Sequence, residues 1–270
     1  MIEPPVAGVI GWPIKHSKSP LIHRFWLGKL GLDGDYSRFP VAPERLGDFL
    51  RALPAMGLRG INVTVPHKLA VLGHLDAMSA GAAAVGAVNT VVVGANGQLT
   101  GHNTDVAGIT GPAGRALQGR PMLLIGSGGA ARAGMAAARA GGAASLWVMA
   151  RNLDAAGELQ AASGLAGGIL GLNDRVPDDV ALVFNATTLG MVGNPPLRLD
   201  LAPLPADAVV FDAVYAPLDT PLLQAARARG LATIDGLAML IGQAAEAFRL
   251  FYGAEAPRQH DDELRALLTR

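Results

Sequence analysis

The chain has 270 residues, 50% of them hydrophobic and 16% charged, so it can bury a sizeable core in one large domain or two ordinary ones. Lys and Arg balance Asp and Glu at a formal net charge of zero, which argues against nucleic acid or an anionic membrane as the main partner. No apolar run reaches the about 18 residues of a membrane span, Met1-Ile2-Glu3-Pro4-Pro5 lacks the basic and apolar regions of a signal peptide, and the absence of cysteine excludes disulfides, thiolate metal sites and cysteine nucleophiles; the simplest placement is cytoplasmic.

In chain order, Val6 to Gly11 reads as a short buried strand. Ser19 to Leu30 reads as a helix, with Pro20 in its first turn and Leu21, Ile22, Phe25 and Trp26 as apolar positions. Tyr36 to Val41 is a second strand, and Pro43 to Leu53 a helix with Leu46, Phe49, Leu50 and Leu53 on one stripe. Gly60 to Val65 is a third strand, followed by a helical stretch through Leu75. Val88 to Val93 and Gln98 to His102 read as two strands joined around Asn96-Gly97, a strong hairpin signal. Thr104 to Leu117 is a helix leading out of this unit. A second series follows, with strands at Met122 to Ile125, Ser145 to Met149, Leu182 to Asn185 and Val209 to Phe211. Its helices are Gly129 to Ala140, Leu153 to Ala162, Leu222 to Arg229, Leu237 to Phe251 and Asp262 to Leu268. Alternating strands and helices predict an α/β fold with mostly parallel sheets, and two such series predict two domains with a cleft between them.

The third strand carries the most informative polar residues. Side chains alternate along a strand, so Asn62 and Thr64 share one face while Ile61, Val63 and Val65 point into a core. Pro66 ends the strand, and Lys68 follows at the start of the next helix. A polar face at a strand end with an amine beside it suits a small polyhydroxylated substrate. A half-exposed strand beside a solvated lysine fits the same residues.

In the second series, Leu123-Leu124-Ile125-Gly126-Ser127-Gly128-Gly129-Ala130-Ala131-Arg132 follows a strand and opens a helix. Gly126 allows a tight turn, Gly128 lets a pyrophosphate approach the backbone, and the amides at the helix start can bind it. Ala133 takes the helix-packing position of this G-x-G-G-A-x-x-A spacing, and a glycine-rich connection without a ligand is the competing reading. The next strand ends at Met149-Ala150-Arg151-Asn152. An acid for the ribose diol of NAD is usual there. Arg151 stands in its place, and a guanidinium can stack on adenine and pair with a 2′-phosphate. NADP is therefore favoured over NAD, with Asp154 nearby as an opposing signal.

These segments stand among others that together resemble the shikimate dehydrogenase family over nearly the whole chain. The motifs are Gly11-Trp12-Pro13-Ile14-Lys15-His16-Ser17-Lys18-Ser19-Pro20, Asn62-Val63-Thr64-Val65-Pro66-His67-Lys68, Gly86-Ala87-Val88-Asn89-Thr90 and Asn103-Thr104-Asp105. After the glycine turn come Asn185-Ala186-Thr187-Thr188-Leu189-Gly190-Met191, Asp212-Ala213-Val214-Tyr215-Ala216-Pro217 and Gly236-Leu237-Ala238-Met239-Leu240-Ile241-Gly242-Gln243-Ala244. The resemblance implies an N-terminal α/β substrate domain, residues 1–105, a Rossmann-like NADP-binding domain, 106–236, and a C-terminal helix returning to the first domain, completed by 237–270.

The resemblance also implies roles. Ser17 and Ser19 would hold the substrate carboxylate; as residue types they also suit a cap on the helix near Pro20. Asn62, Thr64, Asn89 and Gln243 would bind ring hydroxyls. Lys68 and Asp105 would form the catalytic pair, with the lysine polarising the carbonyl oxygen and exchanging its proton. A carboxylate beside an amine keeps it charged, so which of the two carries the proton stays open. Gly126, Ser127, Gly128, Gly129, Ala130 and Arg151 would hold the dinucleotide. Tyr215 would face the substrate, and Thr187, Thr188, Met191, Gly236 and Met239 the nicotinamide side. No metal is implied, and the family contains both monomers and homodimers. The chain departs from the family at Ala150, at Asn152 and at Ala155, which replaces a second basic residue, so one phosphate clamp remains of two.

The implied activity is reversible NADPH-dependent reduction of 3-dehydroshikimate to shikimate. The alternatives are a quinate or aminoshikimate dehydrogenase, or a non-catalytic dinucleotide-binding regulator. A folate-linked dehydrogenase of similar build is opposed by the substrate motifs.

Overall fold

The computed structural model describes residues 4–270. Met1-Ile2-Glu3, part of the stretch read above for a leader, lie outside the described residues. The chain divides into two compact units, one running through Thr104 and resuming at Gln243–Arg270, the other Asp105–Gly242.

The first unit contains β1 (Val6–Gly11), α1 (Ser19–Leu30), β2 (Asp35–Pro40), α2 (Leu46–Ala52), β3 (Leu58–Val63), β4 (Ala77–Met78), α3 (Ala80–Val85), β5 (Thr90–Val93) and β6 (Leu99–His102). The second contains α4 (Asp105–Ala113), β7 (Pro121–Ile125), α5 (Gly129–Ala140), β8 (Ser145–Met149), α6 (Leu153–Ser163), β9 (Ala166–Leu170), β10 (Leu182–Asn185), β11 (Val209–Asp212), α7 (Pro221–Ala228) and β12 (Ala232–Ile234). Helix α8 (Gly236–Tyr252) carries the chain back into the first unit, which α9 (Asp261–Leu268) completes.

The first sheet is mixed, in the order β2-β1-β3-β5-β6-β4. Strand β1 pairs parallel with β2 and β3, and the β5–β6 hairpin pairs antiparallel on β3. Period-two alternation gives the sheet two apolar faces. Ile10, Ile61, Val63 and Val91 pack with Leu46 and Leu50 of α2. Ala7, Val9 and Tyr36 pack on the other face with Ala247 and Phe251 of α8. Gly60 is what lets α8 approach, because a Cβ there would lie 2.5 Å from the Phe251 ring.

The second sheet is all parallel, in the order β12-β11-β10-β7-β8-β9. The chain runs outward from β7 through β9, then restarts at β10 on the other side of β7. The crevice at the carboxyl ends of β7 and β10 is thus the topological switch point, where such sheets place ligands. No helix among the described residues is long and apolar enough to cross a membrane.

Several elements differ from the sequence reading. Strand β3 starts and ends two residues earlier, so Thr64 and Val65 lie beyond it and Val65 is 70% exposed rather than in the core. Pro66 has no N–H to extend a ladder, and a turn closes there with His67 N–H on Thr64 O at 2.9 Å. Lys68 sits on this turn ahead of a short 3-10 helix, Ala70–His74, not at the start of an α-helix. The helix expected at Pro43 to Leu53 opens with a 3-10 turn before α2. The helix expected at Thr104 to Leu117 stops at Ala113, where Gly114 takes φ +50°.

Candidate active site

In the first unit, the loop after β1 brings Ser17 and Ser19 together. Ser17 Oγ donates to Ser19 Oγ at 3.3 Å and accepts the Ser19 N–H at 3.3 Å. The N-cap residue of α1, Lys18, makes no side-chain cap, and Ser17 Oγ takes the first amide of the helix instead. Arg38 of β2 grips the loop through its Nε on Ser17 O at 3.0 Å, with a second guanidinium nitrogen on the same oxygen. Lys18 donates to the Leu268 carbonyl at the end of α9.

Next to this loop lies a buried polar floor. Asn62 accepts from the Tyr36 hydroxyl at 2.6 Å and donates to Thr90 Oγ1 at 2.8 Å and to Asn89 O at 3.3 Å. Its donor capacity is therefore spent inside the protein, and it is only 7% exposed. Burial drives the Tyr36 phenol well above its ordinary pKa, while the Ser19 side chain beside it works in the opposite direction. Asn89 donates to Thr104 Oγ1 at 3.0 Å and accepts the Thr104 N–H at 2.8 Å. Thr104 Oγ1 lies 3.4 Å from Gln243 Oε1 on α8.

Thr64 and Lys68 flank the turn after β3, both half-buried. Gly11 makes room for Thr64, since a Cβ on it would lie 2.7 Å from Thr64 Cγ2. His67 is buried, and its Nε2–H donates to Val41 O at 2.8 Å. This ties the turn to the chain after β2. His67 is thus a buried anchor next in sequence to Lys68.

In the second unit, the glycine turn leaves β7 at the switch point. Gly126 takes φ +115°, and a Cβ on it would lie 3.0 Å from Thr187 Cγ2 in the loop after β10. Gly128 is the N-cap of α5 and no side chain caps the helix, an arrangement that suits an anion at its opening amides. Ser127 and Ala130 are half-buried around this turn, and Gly128 and Gly129 are exposed. The close helix–sheet approach falls on Gly134 rather than on Ala133: a Cβ on Gly134 would lie 2.8 Å from Leu124 Cδ1. Arg151 is exposed at the end of β8, and Asn152 next to it caps α6 by accepting the Ala155 N–H at 3.1 Å.

The loops after β10 and β11 are held by a buried carboxylate that opens one of the quoted motifs without a role assigned to it. Asp212 accepts from Asn185 Nδ2 at 2.9 Å, Val214 N at 3.0 Å and Thr220 Oγ1 at 2.7 Å. Burial raises its pKa, and the three donors pull the other way. Asn185 in turn accepts from Thr187 Oγ1 at 2.7 Å. Thr188 and Met191 follow in the same exposed loop, Tyr215 is 39% exposed in the next, and Val192 N–H joins the two on Ala216 O at 2.9 Å. Gly236 lets α8 start hard against that second loop, with a Cβ position 2.5 Å from Val214 O; Met239 lies half-buried one turn on.

Two family models match the chain: the shikimate dehydrogenase substrate binding domain over residues 9–91 and the shikimate 5'-dehydrogenase C-terminal domain over residues 236–261. The shikimate dehydrogenase (NADP(+)) of Sphingopyxis alaskensis is 50% identical over 268 residues, covering 98% of this chain and 97% of that protein. The chain belongs to the shikimate dehydrogenase family. A solved member of that family, the shikimate 5-dehydrogenase of Thermus thermophilus in complex with NADP(H) and shikimate, is 36% identical with a TM-score of 0.87, over 97% of this chain and 99% of that one. The ligand-free 5-ketofructose reductase of a Gluconobacter strain is 27% identical with a TM-score of 0.93, over 99% of this chain and 100% of that one. The fold thus also serves an enzyme named for another substrate.

Thr90, Thr104 and Asp212 stand in the quoted motifs without an assigned role, and Tyr36 reads only as the start of a strand; the structure bonds each of them to a candidate site residue or its loop. A signal for Asp212 was present: a lone acid closing the apolar run Val209 to Phe211 at a strand's carboxyl end.

Proposed function

We propose that this chain is an NADP-dependent shikimate dehydrogenase, reducing 3-dehydroshikimate reversibly to shikimate on the route to chorismate and the aromatic amino acids. The observation that carries the reading is the likeness, at 36% identity and nearly full length, to an enzyme solved with NADP(H) and shikimate. The first unit supplies the substrate side and the second the cofactor side. The uncapped start of α5 after Gly126 fits a pyrophosphate, and Arg151 fits a 2′-phosphate.

When bound, NADPH supplies the hydride. The protein's own groups supply position and the proton. Ser17 and Ser19 present hydroxyls to the carboxylate. Thr64, Asn89 and Gln243 meet ring hydroxyls, and Asn62 supports them from below with its donors already used. Lys68 polarises the carbonyl oxygen, giving it a proton in reduction and recovering one in oxidation, and Asp105 orients the amine. Tyr215, Thr187, Thr188, Met191, Gly236 and Met239 flank the nicotinamide. Dependence on the NADP pool fits a cytoplasmic protein.

The test is an assay of purified protein with shikimate and with quinate, each with NADP and NAD. Shikimate with NADP is expected to be the best pair, and no shikimate turnover with either cofactor would sink the reading. Lys68→Ala is expected to lower kcat far more than it changes KM, because the lysine acts on the transition state. An unchanged kcat would remove Lys68 from the chemistry.

A further inference from the structure

We propose that Asp212 is a positioning residue for the dinucleotide: its carboxylate holds the glycine turn after β7 and the loops after β10 and β11 in one arrangement, and so sets the affinity for the pyrophosphate and nicotinamide part of the cofactor without touching it. This deepens the function proposed above and rests on it.

Three neighbouring strands end at one level. Ile125 closes β7, Asn185 closes β10 opposite it, and Asp212 closes β11 opposite Asn185. These ends form the switch point of the sheet. Asn185, Asp212 and Thr220 are each at 0% exposure, so none of them reaches a ligand itself. Any effect they have on one passes through other residues.

The bonds fix the direction of the protons. The Thr187 N–H can only donate, and it lies 3.0 Å from Asn185 Oδ1. Asn185 therefore turns its NH2 to Asp212 Oδ1 at 2.9 Å and to Leu189 O at 3.3 Å. The Val214 N–H donates to the same Asp212 oxygen at 3.0 Å. Thr220 Oγ1 takes the Leu223 N–H at 3.3 Å at the start of α7 and gives its own proton to Asp212 Oδ2 at 2.7 Å. All three partners of Asp212 donate, so the site fits an ionised carboxylate. An amide of the same shape leaves at least one of these donors without an acceptor, inside the protein where water does not replace it.

Two arms run from Asp212 to the cofactor side. The first passes through Asn185, whose oxygen also takes the Thr187 hydroxyl at 2.7 Å. That hydroxyl accepts the Leu189 N–H at 3.1 Å, so the polar end of Thr187 is used within its loop. Its methyl faces the glycine turn, 3.0 Å from the Cβ position of Gly126. Gly126, at φ +115°, is the residue whose conformation shapes that turn for a pyrophosphate. The second arm passes through the Val214 N–H and Thr220, which close the loop carrying Tyr215 around the carboxylate. The Val192 N–H on Ala216 O at 2.9 Å joins that loop to the one carrying Thr188 and Met191. Arg151 stands outside this network, after β8 and on the other side of β7 from Asp212.

The test uses full-length protein and equilibrium binding of two probes, at a temperature where circular dichroism shows each variant folded. One probe is NADP. The other is adenosine 2′-phosphate, which keeps the end that Arg151 would hold and lacks the pyrophosphate and the nicotinamide. Asp212→Asn is expected to weaken NADP about tenfold, the size of one hydrogen bond to a charged group, and to leave adenosine 2′-phosphate within about twofold. Thr220→Val, which removes one of the three donors, is expected to weaken NADP about fivefold, and Thr220→Ser, which keeps the hydroxyl, to restore it. Equal losses for the two probes would mean that the carboxylate only holds the fold together, and would overturn the inference. So would an Asp212→Asn variant that binds NADP as tightly as wild type. If Asp212→Asn does not fold, the Thr220 pair decides: equal NADP affinity in Thr220→Val and Thr220→Ser would overturn the inference as well. Failure of the wild type to bind NADP would instead remove the function proposed above, and this inference with it.

Discussion

His23 on α1 is fully buried, and neither ring nitrogen has a hydrogen-bond partner. Its ring stacks 4.0 Å from that of Tyr36, and Trp26, Phe248, Phe251 and Tyr252 surround it. A charge there would lose its water and gain nothing, so burial lowers the pKa from 6.5 to about 3. The sign follows: the neutral ring's contribution to stability is complete above 6.5 and is lost as the pH falls from 6.5 toward about 3, because the unfolded chain then binds a proton that the folded one refuses. Between about pH 7.5 and about pH 5, wild type should lose about 2 kcal/mol more than a His23→Phe variant in urea unfolding. Equal losses would show that His23 finds water or a partner in solution. The same residues show what a pattern of types withholds. Asn62 is legible as a polar residue on an apolar strand, but only the register of β3 against β1 and β5 sets Tyr36 above it and Thr90 beside it. Those partners take up both of its amide hydrogens and its oxygen.

Glycines in helices separate propensity from packing at the level of single elements. Gly134 in α5 and Gly157 in α6 both carry the cost of about 0.5–1 kcal/mol that glycine imposes on a helix interior. A Cβ at Gly157 would meet nothing within 4 Å, so Gly157→Ala should raise stability by about 0.5–1 kcal/mol. A Cβ at Gly134 would lie 2.8 Å from Leu124 Cδ1 and 3.0 Å from Phe184 Cδ1, both on strands buried in the sheet. Overpacking costs about 1–3 kcal/mol there and outweighs the propensity gain, so Gly134→Ala should lower stability. Chemical denaturation of the two variants checks the pair, and shifts of the same sign would contradict it. The same contrast explains which elements were readable. Helices α1 and α5 and strands β1, β8 and β10 were placed in full by apolar periodicity with a proline or glycine at the boundary. Strand β9 reads Ala-Gly-Gly-Ile-Leu, and its Gly167 takes φ +129° with a Cβ position only 2.0 Å from Leu146 O. No β-propensity scale selects such a strand, because pairing with β8 makes it. Strands β4 and β12, of two and three residues, are equally products of their neighbours.

At the scale of the whole chain, the two units differ in how they are assembled. The second is one continuous stretch with a complete parallel sheet and its own apolar core around Leu123, Val183, Val210 and Leu223. The first is discontinuous, because one face of its sheet is covered by the chain's last segment. Ala247 and Phe251 of α8 pack on Ala7, Val9 and Tyr36, Phe248 packs edge-on to Trp26, and the Tyr252 hydroxyl donates to Asp35 O at 2.9 Å. Helix α9 is tied to α1 by Lys29 and Glu263 at 2.6 Å. Removing residues 243–270 would uncover Trp26 and Tyr36, now at 0% exposure, and take away the fully buried Phe248. Each such side chain contributes roughly 1.5–3 kcal/mol by burial, against a total stability of about 5–15 kcal/mol. A fragment of residues 105–242 should therefore unfold cooperatively on heating and be stabilised by NADP, whereas a fragment of residues 1–104 should show no cooperative transition. Circular dichroism melts of the two fragments decide this. A cooperative melt from the 1–104 fragment would mean that the α2 face alone suffices as a core, and that the returning helix serves the substrate floor through Gln243 without being needed for the fold beneath it.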